Sequence, residues 1–175
     1  MDEKAIQKNI LLGEIARDKN AGLKSFYAEY GRLIYAVALS VTKKSFLADE
    51  AVNETLLRVW KTAEKGKKEV SEGWLYTVAL NAAKSVLKRN FFIPLTSDEA
   101  CENAEITRFE DDSFFEYLDF VGEKEREILI FRFVSEMTFE EIAAATGKKL
   151  STVTSVYYRA LDKIKKTLEK RRKPL

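Results

Sequence analysis

Proline stands at only two positions, Pro94 and Pro174, so residues 1–93 and 95–173 run without the one residue that cannot continue a helix. Apolar residues fill this freedom at spacings of three and four. "AIQKNILLGEIARD" sets Ile6, Ile10, Leu11 and Ile15 on one face, and "KSFYAEYGRLIYAVALSV" does so with Phe26, Tyr30, Leu33, Ile34, Val37 and Val41. Ser45 is placed to N-cap a third helix, whose core face carries Ala48, Val52, Thr55, Leu56, Val59, Trp60 and Ala63. After the polar loop "EKGKKEVSEG", Trp74, Leu75, Val78, Ala79, Ala82, Val86 and Leu87 continue the pattern to the residues before Pro94. The expectation is an all-α chain that opens with a four-helix bundle over residues 1–92.

The periodicity then fades. Between residues 98 and 112, Asp98, Glu99, Glu102, Glu105, Glu110, Asp111 and Asp112 face the single base Arg108, which reads as an acidic linker, set at residues 93–113. Helical patterning returns with "FFEYLDFV" and "EKEREILIFRFVSE", the start of a second small domain at 114–175.

Composition narrows the function. With 46% apolar residues the chain has enough to build a core, and no apolar run reaches the ~18 to 20 residues that cross a bilayer. "MDEKAIQKNI" has acids where a signal peptide is basic, so a cytoplasmic protein without membrane insertion is expected. There is no histidine, and the one cysteine, Cys101, has no partner for an internal disulfide. That speaks against most catalysis; no enzyme activity, metal or cofactor is expected.

The chemistry concentrates near the end, in "MTFEEIAAATGKKLSTVTSVYYRALDKIKK". Thr138 and Glu141 have capping-box spacing, and Gly147 suits the left-handed residue that stops a helix. Ala143 is small enough for a close crossing, and Val153, Tyr157, Ala160, Ile164 and Leu168 pin the following helix; Val156 is expected to be buried, the alternative being contact with a thymine methyl group. These are the requirements of a helix-turn-helix, whose second helix enters the major groove. Its outward residues are Ser151, Thr152, Thr154, Ser155, Tyr158 and Arg159, which suit base edges and phosphates. Lys163, Lys165, Lys166, Lys170, Arg171, Arg172 and Lys173 add attraction for a DNA backbone. A plain helical hairpin with a solvated basic face fits the same pattern.

Two further faces lie in the first bundle. Opposite the core of the third helix stand Asp49, Glu50, Asn53, Glu54 and Leu57, either a protein-docking surface or a solvated face with one stray leucine. The loop bearing Lys67 and Lys68, followed by Trp74, Asn81, Lys84, Lys88 and Arg89, mixes cations with aromatics as a single-strand-gripping surface does. Trp60, and with it Trp74 and Tyr76, also fit as ordinary core.

"FYAEYGRLIYAVALSVTKKSFLADEAVNETLLRVWK" with "WLYTVALNAAKSVLKR" resembles region two of bacterial RNA polymerase sigma factors of the extracytoplasmic-function type. "EKEREILIFRFVSEMTFEEIAAATGKKLSTVTSVYYRALDKI" resembles their region four. The resemblance implies a transcription initiation factor. "ADEAVNET" and Leu57 would dock on core RNA polymerase. Lys67, Lys68, Trp74, Asn81, Lys84, Lys88 and Arg89 would melt and read the downstream promoter box, and the helix from Leu150 would read the upstream box. Promoter DNA and an anti-sigma factor are the further partners implied, with the chain monomeric when free. Thr77, Leu80, Thr154 and Val156 stand where the family often has bases, and Ser85 where an aspartate is common. A sigma-like decoy that binds polymerase but reads DNA poorly, or a stand-alone helix-turn-helix regulator, would carry many of the same residues.

The stretch from Asn90 to Asp112, over which the periodicity fades, is about 23 residues and reaches at most ~75 Å at ~3.3 Å each, roughly two turns of DNA. Its carboxylates would suit a basic channel built for nucleic acid, although a solvated spacer needs no such role.

Overall fold

A computed structural model describes residues 12–66, 71–90 and 113–172; among them there is helix and turn but no strand. The chain divides into two compact units, Met1–Glu105 and Ile106–Leu175. The expected linker, apart from Ser113, lies outside the described residues, as do Ile6, Ile10, Leu11, Lys67, Lys68, Cys101 and Lys173.

In the first unit a helical stretch at 12–17 leads into α1 (Lys19–Thr42), α2 (Ser45–Glu64) and α3 (Glu72–Asn90). Asp18 caps α1, its carboxylate accepting from the N–H groups of Asn20 and Ala21 at 3.0 and 3.2 Å. α1 stops at Lys43, which is left-handed at φ 60°, a conformation that costs a side chain some strain. The buried hydroxyl of Thr42 braces this corner by donating to Ala38 O and Lys44 O at 3.0 and 3.2 Å. As a result Lys44, not Ser45, occupies the N-cap of α2, and no side chain bonds there. The corner sets where the helix begins, so the residue with the better capping chemistry falls one place inside it.

α1, α2 and α3 pack against one another around Phe26, Ile34, Val37, Val59, Ala79 and Val86, with Leu12 and Ile15 closing the end. Gly22 makes that closure possible: a Cβ there would lie 2.3 Å from Ile15 N, so only a bare Cα fits. Several expectations for this core change, and Val41, Leu56 and Val78 are half-buried. Leu87 lies one step past the buried stripe of α3 and is 38% exposed. Trp60 is half-buried, its ring covered by Lys19, whose Nζ lies 3.4 Å from the ring centroid.

The second unit contains α4 (Ser113–Leu118), α5 (Glu123–Phe133), α6 (Phe139–Thr146) and α7 (Leu150–Arg172). Thr138 and Glu141 form the reciprocal capping box, with Thr138 N–H donating to Glu141 Oε2 at 2.6 Å and Glu141 N–H to Thr138 Oγ1 at 3.2 Å. Gly147 ends α6 in the left-handed region at φ 66°. α7 then packs on both α5 and α6 through fully buried Val153 and Ala160. Tyr157, Ile164 and Leu168 are half-buried, and so is Val156, against the expectation of burial.

Candidate docking and nucleic-acid faces

On α2 the burial of Ala48, Ala51, Val52, Thr55 and Val59 turns the opposite side outward. Along its middle run Phe46, Asn53 and Leu57, at spacings of seven and four; Leu57 is 48% exposed and Phe46 39%. The sequence reading missed Phe46, although its place eleven residues before Leu57 puts it on the same line.

The acids flank this line. Asp49 lies on one side, half-buried, with Oδ1 enclosed and without a hydrogen-bond partner. Burial pushes its carboxyl above the ordinary value. Tyr27 of α1 responds: burial, and then the nearby Asp49 charge, raise its phenol. On the other side, Glu50 and Glu54 meet the end of α3. Arg89 Nη2 lies 2.8 Å from Glu50 Oε1 and 2.9 Å from Glu54 Oε2, and Asn90 Nδ2 donates to Glu50 Oε2 at 3.3 Å. Arg58 pairs with the remaining oxygen of Glu54. Burial works to raise the Glu54 carboxyl, but the hydrogen bonds and charges of Arg58 and Arg89 outweigh it and hold it below the usual range. Of the five residues expected on one exposed face, Asn53 and Leu57 are exposed, while Asp49, Glu50 and Glu54 are half-buried at its edges.

On α3, Thr77, Asn81, Lys84 and Lys88 are exposed and follow one stripe at spacings of four, three and four. Trp74 is half-buried at its start, whereas Tyr76 is core, 3% exposed. Arg89 departs from the stripe toward α2.

On α7, Ser151, Thr152, Ser155, Tyr158 and Arg159 are exposed and Thr154 half-buried. The hydroxyls are not idle. Ser155 Oγ donates to Ser151 O at 2.7 Å, and Thr154 Oγ1 sits 3.2 and 3.1 Å from Leu150 O and Ser151 O. Their protons serve the helix backbone, so what they turn outward is acceptor lone pairs. Tyr158, 62% exposed, packs at 5.3 Å from Tyr157 and 6.4 Å from Phe139, which fixes its ring at the edge of this face.

The cations further along α7 are partly engaged. Lys163 pairs with Glu125 at 2.6 Å, Lys166 with Asp162 at 2.6 Å, and the Arg171 guanidinium lies 4.6 Å from the ring centroid of Phe120. Lys165 and Lys170 are exposed. The expected attraction for a phosphate backbone is therefore tempered, because half of an ion pair is already neutralised.

A family model described as Sigma-70 region 2 matches residues 26–91, and one described as Sigma-70, region 4 matches residues 118–166. The chain is 28% identical over 140 residues to RNA polymerase sigma factor SigV of Bacillus subtilis (strain 168), covering 78% of this chain and 84% of that one. It is 24% identical over 175 residues to ECF RNA polymerase sigma factor SigK of Mycobacterium ulcerans (strain Agy99), covering 92% and 93%. Among solved structures it is similar to CnrH in complex with the cytosolic domain of CnrY, at TM-score 0.65 and 18% identity over 93% of this chain and 97% of that one. It is also similar to the sigma factor RpoE in complex with the anti-sigma factor NepR from Bartonella quintana, at TM-score 0.56 and 23% identity over 83% and 98%. At those identities the structural likeness shows the fold.

Proposed function

The chain belongs to the sigma-70 family as a factor of the extracytoplasmic-function type, and we propose that its two units divide the work of promoter use between the faces described above. It is an initiation factor that directs RNA polymerase to promoters. In our assignment the region-two unit spans 1–92, a spacer 93–113 and the region-four unit 114–175.

The line Phe46, Asn53 and Leu57, with Asp49, Glu50 and Glu54 beside it, docks on core polymerase. The α3 stripe of Asn81, Lys84 and Lys88, with Trp74, engages the downstream box as it opens. Unstacking costs a few kcal/mol per flipped base, so this surface needs the polymerase to hold it in place. α7 reads the upstream box from Ser151, Thr152, Thr154, Ser155, Tyr158 and Arg159.

The observation that carries this reading is the order of surfaces: region two and region four follow one another, and each presents an exposed polar stripe on a buried scaffold. Among the described residues no helix is long and apolar enough to cross a membrane. In this proposal the chain works in the cytoplasm, without catalysis of its own. An anti-sigma factor is a further proposed partner, since a similar solved sigma factor is held by one.

Run-off transcription from genomic fragments with core enzyme tests the proposal. Discrete transcripts that need this chain are expected. Core binding without transcripts would favour a polymerase-binding decoy, and tight, sequence-selective DNA binding without core enzyme a stand-alone regulator.

A further inference from the structure

We propose that Arg89 belongs to the polymerase-docking face as a positioning residue, and not to the DNA-reading stripe of α3; the inference rests on the docking role proposed for α2. Helical phase separates it first. Thr77, Asn81, Lys84 and Lys88 follow one line, and one residue beyond Lys88 turns ~100° about the axis at 3.6 residues per turn. That turn takes Arg89 off the stripe and toward α2, where its Nη2 lies 2.8 Å from Glu50 and 2.9 Å from Glu54.

The bonding is complete on the acid side. Glu50 takes Arg89 and Asn90, one on each oxygen, and Glu54 takes Arg58 and Arg89 in the same way. Two carboxylates and two guanidiniums cancel, so this edge of the face is not a bare anionic patch. What Arg89 provides is order: it fixes two long side chains on neighbouring turns of α2 beside exposed Leu57. Each carboxylate oxygen keeps a second lone pair for a donor on the partner. Fixing two rotamer-rich side chains in advance removes an ordering cost from association. One nitrogen, Nη2, bridges both acids from a rigid planar group, whereas a lysine ammonium turns freely at the end of a flexible stem and holds the pair less firmly.

The test uses the full chain and core polymerase in equilibrium competition, with helicity and melting temperature as folding controls. Arg89→Ala is expected to bind core about tenfold more weakly, and Arg89→Lys to fall between it and the parent. In a Glu50→Gln, Glu54→Gln background, Arg89→Ala should change core affinity less than twofold, a dependence that a general packing role would not show. With polymerase saturated, the salt slope of promoter binding should be unchanged by Arg89→Ala, while Lys88→Ala lowers it by about one. Unchanged or tighter core binding by Arg89→Ala, or a salt slope lowered as by Lys88→Ala, overturns the inference. If Leu57→Asp also leaves core binding intact, the docking role of α2 itself is wrong; if Leu57→Asp abolishes binding and Arg89→Ala does not, only the role of Arg89 is.

Discussion

Lys163 Nζ lies 2.6 Å from Oε1 of Glu125, joining the first turn of α5 to the middle of α7 across 38 positions of sequence. The other oxygen of Glu125 accepts the N–H of Gly122 at 2.9 Å. One carboxylate thus serves two ends: it satisfies an open donor at the start of α5, where the helix dipole favours negative charge, and it anchors α7. Burial works to raise this carboxyl. The Lys163 hydrogen bond, the Gly122 hydrogen bond and the charges of Lys163 and Arg159 outweigh it, leaving the pKa below its ordinary 4.5.

The sign of the pH dependence follows. A carboxyl with a depressed folded pKa contributes stability that is fully present above its unfolded value, near 4.5, and is lost as pH falls through the lower folded value. Glu125→Gln keeps an acceptor for Gly122 but drops the charge. Its melting temperature should lie below that of the parent at neutral pH, and the gap should close on acidification below about pH 4.5. Thermal melts of the two proteins across pH 3 to 7 check this; a gap that stays constant would remove Glu125 from the acid response.

Asp49 has the opposite sign. Its Oδ1 is enclosed without a partner, and leaving a buried polar atom unsatisfied costs roughly 1–3 kcal/mol. Asp49→Ala removes the carboxylate and places a good helix former in α2. The variant should be more stable by about 1 kcal/mol at neutral pH and should bind core polymerase less well, the trade expected of a residue kept for function. Urea denaturation beside a core-binding titration measures both. A loss of stability would show that Asp49 supports the fold instead.

Gly22 gives a purely structural prediction. An added methyl meets the backbone of Ile15 at 2.3 and 2.4 Å, atoms that cannot rotate away, so α1 and the 12–17 stretch must separate. Gly22→Ala would gain up to ~1 kcal/mol of helix propensity and still lose about 1–3 kcal/mol net, as Leu12 and Ile15 come out of the core. Amide hydrogen exchange should show residues 12–17 losing protection first. Retention of full protection would contradict the packing described.

These residues also show what sequence can carry. The Thr138–Glu141 box and the Gly147 stop are set within a few positions by local bonding and a permitted φ, so spacing alone finds them. The buried Val153 and Ala160 follow from helical period in the same way. The pairing of Arg89 with Glu50 spans 39 positions and depends on how α2 meets α3, so in the sequence Arg89 reads as one more cation in a basic run. Lys163 reads as a phosphate contact for the same reason. The missed cap at Lys44 is a tertiary effect on a local feature, because the braced corner at Thr42 decides where α2 begins. Leu87 fails through boundary arithmetic: it holds helical spacing with its neighbours but lies just outside the arc that α1 and α2 cover.

The recognition face of α7 carries the last prediction. Ser155 donates its proton to Ser151 O, so toward DNA it offers lone pairs, which suit the amino group that each base pair presents in the major groove. Arg159 is exposed, lies close enough to Glu125 to lower its pKa, and presents a charge suited to phosphate. In the complex with polymerase, Ser155→Ala should therefore relax base preference at one upstream position by roughly 1 kcal/mol while leaving the salt slope alone. Arg159→Ala should weaken all sequences alike and reduce the slope by about one. The isolated chain should bind promoter DNA weakly, since Lys163 and Lys166, two of the cations of α7, are already paired. Mobility-shift titrations at several salt concentrations, with and without core enzyme, separate the cases. The same loss of sequence preference in both variants would mean that Arg159 reads a base, and tight selective binding by the chain alone would mean that the α7 face needs no polymerase to place it.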